Sequence, residues 1–216
     1  MGSSARHSRL TARPRRPRGL RTRRSILDRA VALASLEGLE SLTIGRLASA
    51  LHMSKSGLFA HFGSKEELQC AVVEAAKDIF VRQVMLPAAG LKGLRRLRSL
   101  CENWFRYTEL QAFPGGCFFS AASLEYDDRP GKVRDRILEL MQHWLLDLEE
   151  TVREAQAKGE VGREVAPGQV AFEIHALAMG ANWRSRLFRD SAAYSSARRA
   201  IRMRINQIAQ SGRKDK

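Results

Sequence analysis

The sequence lacks any apolar run approaching the roughly eighteen residues that a membrane-spanning helix requires. No apolar stretch follows the charged start Met1 to Leu10, so no secretory signal is read there, and a cytoplasmic location is expected. Cysteine is scarce: Cys70, Cys101 and Cys117 are odd in number, far apart and without a CxxC pair. That pattern gives no disulfide framework and no zinc site, and each thiol is expected to pack as a small hydrophobe. Proline is also scarce, with 6 residues, while 44% of the chain is apolar, which argues against global disorder. No glycine-rich phosphate loop, HExxH, GxSxG or recognisable carboxylate pair occurs. Nothing therefore supports an enzyme, and no cofactor or metal is expected.

Acid is missing altogether from residues 1–24, which hold nine arginines. The chain carries a net charge of +14, so the remainder accounts for 14 − 9 = +5. Such a balance, with a pI near 10.6, points to a polyanionic partner. Nucleic acid and an anionic membrane surface both satisfy it. Pro14, Pro17 and Gly19 interrupt the arginines, and no hydrophobic period runs through them, so residues 1–21 read as a flexible basic arm. Such an arm either contacts phosphates or a minor groove, or remains a solvated tail.

From Thr22 onward the periodicity is helical. Ile26, Ala30, Leu33 and Ala34 share a face, and Gly38 is placed as a left-handed cap. Ile44, Leu47, Ala48 and Leu51 form the apolar stripe of a short second helix with Thr43 at its N-cap. A third short helix spans about Lys55 to His61, and Ser64-Lys65-Glu66-Glu67 reads as a capping box opening a longer one. Further helices are expected at 91–111, 116–125, 131–158, 166–188 and 191–210, with Asp128 a candidate N-cap. No segment alternates with period two. The expected fold is all-α, with about nine helices.

Two short helices joined by a tight turn, Thr43 to Phe62, cannot each bury a face alone and need their neighbours for a compact head. With Leu47, Ala48, Leu51, Leu58 and Phe62 inward, Lys55, Ser56, Phe59 and His61 face out. A short helix whose N-terminus is rich in Ser, Lys and Gly suits the major groove. The stretch resembles the TetR family of regulators through Thr43, Ile44, Leu47, Ala48, Ser54, Lys55, Leu58, His61, Phe62, Lys65, Glu66 and Leu68. The resemblance implies that Thr43, Lys55, His61 and Lys65 face phosphates, with Ser54, Ser56 and Gly57 near base edges. Phe59 stands where the family usually has tyrosine, so a phosphate-binding phenol is missing. Specificity then falls on Lys55, Ser56, Arg46 and DNA shape.

The domains expected are a helix-turn-helix unit over 22–68, a ligand-binding and dimerisation domain over 69–210, and a tail over 211–216. The resemblance implies an inducer site and a homodimer reading a palindromic double-stranded operator. Pocket candidates are Trp104, Phe105, Phe113, Phe118, Phe119, Met141 and Trp144, with Asn103, Glu109, His143 or Asn182 as polar groups. The same aromatics also suit a plain core. Dimer candidates are Ile174, Leu177, Ala181, Tyr194, Ile201, Ile205 and Ile208, together with Trp183 and Phe188. The function expected is a repressor released from DNA by a small apolar ligand. The rival reading is a nonspecific architectural DNA binder using the arginine arm.

Overall fold

The computed structural model describes residues 18–214, with side chains from 21 to 212; most of the basic arm lies outside the described residues. Helix α1 begins at Arg18 and runs to Glu37, so the last residues assigned to the arm and Thr22 are helical. Its face of Ile26, Ala30, Val31 and Ala34 is buried. The helix ends at Gly38, whose φ of +89° is cheap only for glycine and lets its N–H reach Ala34 O at 2.9 Å.

Three hydroxyls then set the next starts. Thr43 Oγ1 accepts from Arg46 N and opens α2 (Ile44–Leu51), and Ser54 accepts from Gly57 N and opens α3 (Lys55–Phe62). Ser64 accepts from Glu67 N and opens α4 (Lys65–Phe80). Helix α4 widens into a π-helical turn at Val81–Met85 and a 3₁₀ turn at Leu86–Ala88. Asn103 Nδ2 donates to Val84 O at 3.0 Å and so satisfies a carbonyl within the widened turn.

The remaining helices are α5 (Gly93–Glu109), α6 (Phe118–Glu125), α7 (Lys132–Ala157), α8 (Pro167–Leu187) and α9 (Ala193–Lys214). Among the described residues there is no strand, and no helix is long and apolar enough to cross a membrane. Two boundaries differ from expectation. Helix α7 takes Gly131, not Asp128, at its N-cap. Helix α9 continues through most of the expected tail, to Lys214.

Helices α5, α7, α8 and α9 pack on one another, and α4 bridges from α7 to α1. Leu97, Leu100, Leu148, Val152, Val170 and Ile205 are fully or almost fully buried there. Each such side chain contributes about 2 kcal/mol by leaving water. This core also claims Ile174, Ala181, Tyr194, Ile201, Ile205 and Ile208, which are buried within one chain, while Leu177 is half-buried. Most of that stripe therefore packs within the subunit, while Leu177 and Ala181 also border a groove on the outer side of α8 and α9. The outward faces of α8 and α9 carry Phe172, Trp183, Leu187, Phe188 and Met203, all more than half exposed.

Candidate nucleic-acid interface

Leu47 and Leu58 are fully buried, with Ala48 and Phe62 nearly so, and together they lock α2 and α3 against α1 and α4. Leu51 is half-buried. This packing turns Lys55, Ser56 and Phe59 outward, and Phe59 is 57% exposed. Lys55 leans across the start of α2: a Cβ added to Gly45 would lie 3.5 Å from Lys55 Cε and 3.9 Å from Thr43 Oγ1. The two helix starts, their free amides, Thr43 and Lys55 thus share one surface, which suits an anion.

Other expected residues are already engaged. Ser54 Oγ caps α3 by accepting from Gly57 N at 3.1 Å, and Ser56 Oγ lies 3.3 Å from it. Gly57 is half-buried; an added Cβ there would sit 3.0 Å from Ser54 Oγ, so this glycine keeps the cap compact. His61 is half-buried beside the Phe62 ring, at 6.2 Å. Arg23 stacks over the other part of that site, 5.1 Å from the Phe62 centroid. His52 has φ +53° and closes α2 as a left-handed cap.

Two of the predicted cations hold intramolecular carboxylates. Arg46 grips Glu37 through both Nε and a terminal nitrogen, and these hydrogen bonds hold the Glu37 carboxyl below its usual range. Lys65 donates to Glu40, whose other oxygen accepts from Tyr126 Oη at 2.9 Å and from Gln69 Nε2 at 3.4 Å. Glu125, at the end of α6, accepts the backbone N–H groups of Leu39 at 2.7 Å and Glu40 at 3.0 Å. Residues 85 and 86 positions apart thereby fasten α6 to the turn before α2. In the sequence, the acidity of the Glu125–Asp128 stretch is the one signal of this joint.

The joint is expected to loosen in acid. Chiefly through the Lys65 hydrogen bond, the Glu40 pKa is lowered on folding, so its stabilisation is complete above the ordinary carboxylate range and is lost as pH falls through the lowered value. Thermal unfolding of the parent and Glu40→Gln should differ at neutral pH and converge on acidification. A constant difference would remove Glu40 from the joint.

Family profiles match both parts of this arrangement. The one described as bacterial regulatory proteins of the tetR family covers residues 26–72. The one described as the tetracyclin repressor-like C-terminal domain covers residues 93–201, half of the chain. The chain belongs to the TetR family. Members of this family are DNA-binding transcriptional regulators, not enzymes. Among similar proteins is the HTH-type transcriptional repressor DhaR of Mycobacterium sp. (strain GP1), 23% identical over 78% of this chain and 84% of DhaR. The transcriptional regulator AcuR of Cereibacter sphaeroides is 26% identical over 73% and 77%. A TetR regulator structure from Chloroflexus aurantiacus superposes with a TM-score of 0.80, at 25% identity over 88% of this chain and 96% of the other. AibR, solved with isovaleryl coenzyme A and operator DNA, has a TM-score of 0.67 at 22% identity, over 83% and 95%.

In this TetR-family chain a cavity of about 240 Å³ opens behind α4, among α4, α5, α6, α7 and α8. Trp104, Phe119, Met141 and Trp144 line it, as the sequence reading expected. Phe105, Phe113 and Phe118 do not. Phe105 is buried under the Arg198 guanidinium at 4.8 Å, while Phe113 packs on Tyr107 at 5.6 Å and on Phe118 at 5.9 Å. Of the polar candidates only His143 lines the cavity. Asn103 serves the π-helical turn, Glu109 pairs with Arg198, and Asn182 accepts from Cys117 N and Tyr194 Oη. Sequence reasoning missed Phe80, Val81, Met85, Ser120 and His175 in the lining. Periodicity marks which residues are buried; it does not say which of them border a void.

Proposed function

We propose that the protein is a homodimeric repressor that reads a palindromic operator with α3 and leaves it when a small apolar ligand fills the cavity behind α4. The exposed surface shared by the starts of α2 and α3 carries this reading, because amides, hydroxyls and Lys55 converge there while apolar groups turn inward. Thr43, Lys55 and His61 contact phosphates; Ser56 and Gly57 approach base edges, and Phe59 meets a thymine methyl or a sugar. Arg46 and Lys65 join only by exchanging Glu37 and Glu40 for phosphate, which makes their contribution the part most exposed to rearrangement.

Ligand entry acts on two levers. Helix α4 carries cavity residues Lys77 and Phe80 towards one end and Lys65 at the other, whereas α6 carries Phe119 and Ser120 and ends on Glu125. Movement of either shifts α2 and α3 and spoils the half-site separation of roughly 34–36 Å. Coupling of about 1–3 kcal/mol gives a five- to hundred-fold loss of affinity.

Selection of bound duplexes from a random pool tests the reading: a palindrome is expected, and equal recovery of all sequences would instead favour the architectural binder. Lys55→Ala should weaken binding to every sequence and lower the salt slope by about one unit. An unchanged slope counts against its phosphate contact.

A further inference from the structure

We propose that the cavity behind α4 takes a neutral, largely aromatic molecule of about ten non-hydrogen atoms, held by one hydrogen bond to His175, and rejects carboxylates and ammonium ions. This rests on the ligand-binding reading above and specifies the size, charge and polar handle of the occupant.

Size comes from the void itself. A dry cavity of about 150 Å³ holds a benzene, so 240 Å³ accommodates roughly a two-ring molecule. An acyl-coenzyme A such as the one bound by AibR exceeds this space many times over. The walls present ring edges and faces together: Phe80 stands edge-on to Trp144 at 5.2 Å and to Phe119 at 6.0 Å, with Trp104 across the void. Such edge-to-face sets welcome another ring.

Charge is decided by what is missing from the lining. Among the described residues that form it there is no carboxylate and no guanidinium. The one ammonium, Lys77 Nζ, lies 2.9 Å from Glu74 and 3.2 Å from Asp78, which already neutralise it. An entering carboxylate would shed its water and find no unengaged cation. A cation would gain the faces of the aromatic rings, but without a carboxylate this return is smaller than the hydration lost. Only a neutral molecule enters without such a loss.

Orientation falls to His175. Its ring borders the cavity and forms no hydrogen bond with another described residue. Burial among apolar groups lowers its pKa, so the imidazole stays uncharged and offers one donor and one acceptor nitrogen. His143 is exposed at the rim, Cys117 is buried at the start of α6, and Ser120 supplies a further hydroxyl from the same helix.

Calorimetric titration of the full chain with 1-naphthylmethanol, 1-naphthoate and 1-naphthylmethylammonium tests this directly. The alcohol should bind at least about ten-fold tighter than either ion. His175→Leu should weaken the alcohol by about three- to ten-fold and leave unsubstituted naphthalene unchanged, while His175→Gln restores the alcohol. An ion binding as tightly as the alcohol, no binding of the alcohol, or an alcohol affinity indifferent to both folded His175 variants overturns the proposal. Binding as expected with operator affinity unmoved upholds the ligand class and instead removes the repressor-release mechanism.

Discussion

Gly115→Ala should destabilise the protein by about 3 kcal/mol, which for a chain of this size lowers Tm by about 6–12 °C. A Cβ at this position would stand 1.6 Å from Ser35 O and 2.2 Å from Ser35 C, both backbone atoms of α1. No rotamer change can relieve an overlap with main chain, so the loop or the helix must withdraw. The loop has little freedom to do so. Gly115 N donates to Ser35 Oγ at 3.2 Å on one side, while Cys117 N donates to Asn182 Oδ1 at 3.0 Å and Arg186 to Pro114 O at 3.1 Å on the other. Withdrawal from α1 also pulls on α6, which follows directly and ends on the Glu125 contacts with Leu39 and Glu40. Looser operator binding should therefore accompany the fall in Tm. Gly90→Ala is the control, since a Cβ there meets nothing within 4 Å and Gly90 is exposed. Equal melting of the two variants would mean that the loop is not seated on α1 as described.

How much of this was legible in the sequence follows from the range of each interaction. The caps at Thr43, Ser64 and Gly38 are local: a hydroxyl or a glycine three or four residues from its partner, so chain order alone reveals them. The inward set of Leu47, Ala48, Leu58 and Phe62 was equally readable, because two short helices have one way to bury their stripes. The stripes of α8 and α9 were legible as apolar, and most of each is covered within the chain, while Leu177 and Ala181 also border the outer groove; periodicity says that a face is covered and not by what. Arg46 and Lys65 looked free because Glu37 and Glu40 reach them across turns. The Glu125 joint spans more than eighty positions, and the π-helical turn has no residue signature. Asp128 lost the α7 cap to Gly131, whose φ of +137° admits a reversal that aspartate rarely adopts.

The outer face of α8 offers the strongest test of assembly. Phe172, Ala176, Gly180 and Trp183 recur at helical spacing and are exposed, and Ala176 and Gly180 border a groove completed by Ser196 and Ala200 of α9. Small residues between large apolar ones let two backbones approach closely, and the aromatics at the ends are the anchors that stable interfaces favour. Gly180→Arg should abolish dimerisation yet leave the single chain folded. A Cβ at Gly180 meets nothing within 4 Å, and arginine is a better helix former than glycine. Against a second copy, however, the guanidinium would be buried beside Arg184, which already holds the nearby Asp190, a cost that a weakly or moderately stable interface does not survive. A freed monomer would then hold one half-site where the dimer holds two. Loss of the linked second contact should lower operator affinity by about 100- to 10,000-fold while the affinity for an isolated half-site stays the same. Sedimentation and operator titration on the same samples read both quantities. A variant that remains dimeric moves the interface away from α8, and one that is monomeric yet grips the operator undiminished removes the dimer from DNA recognition.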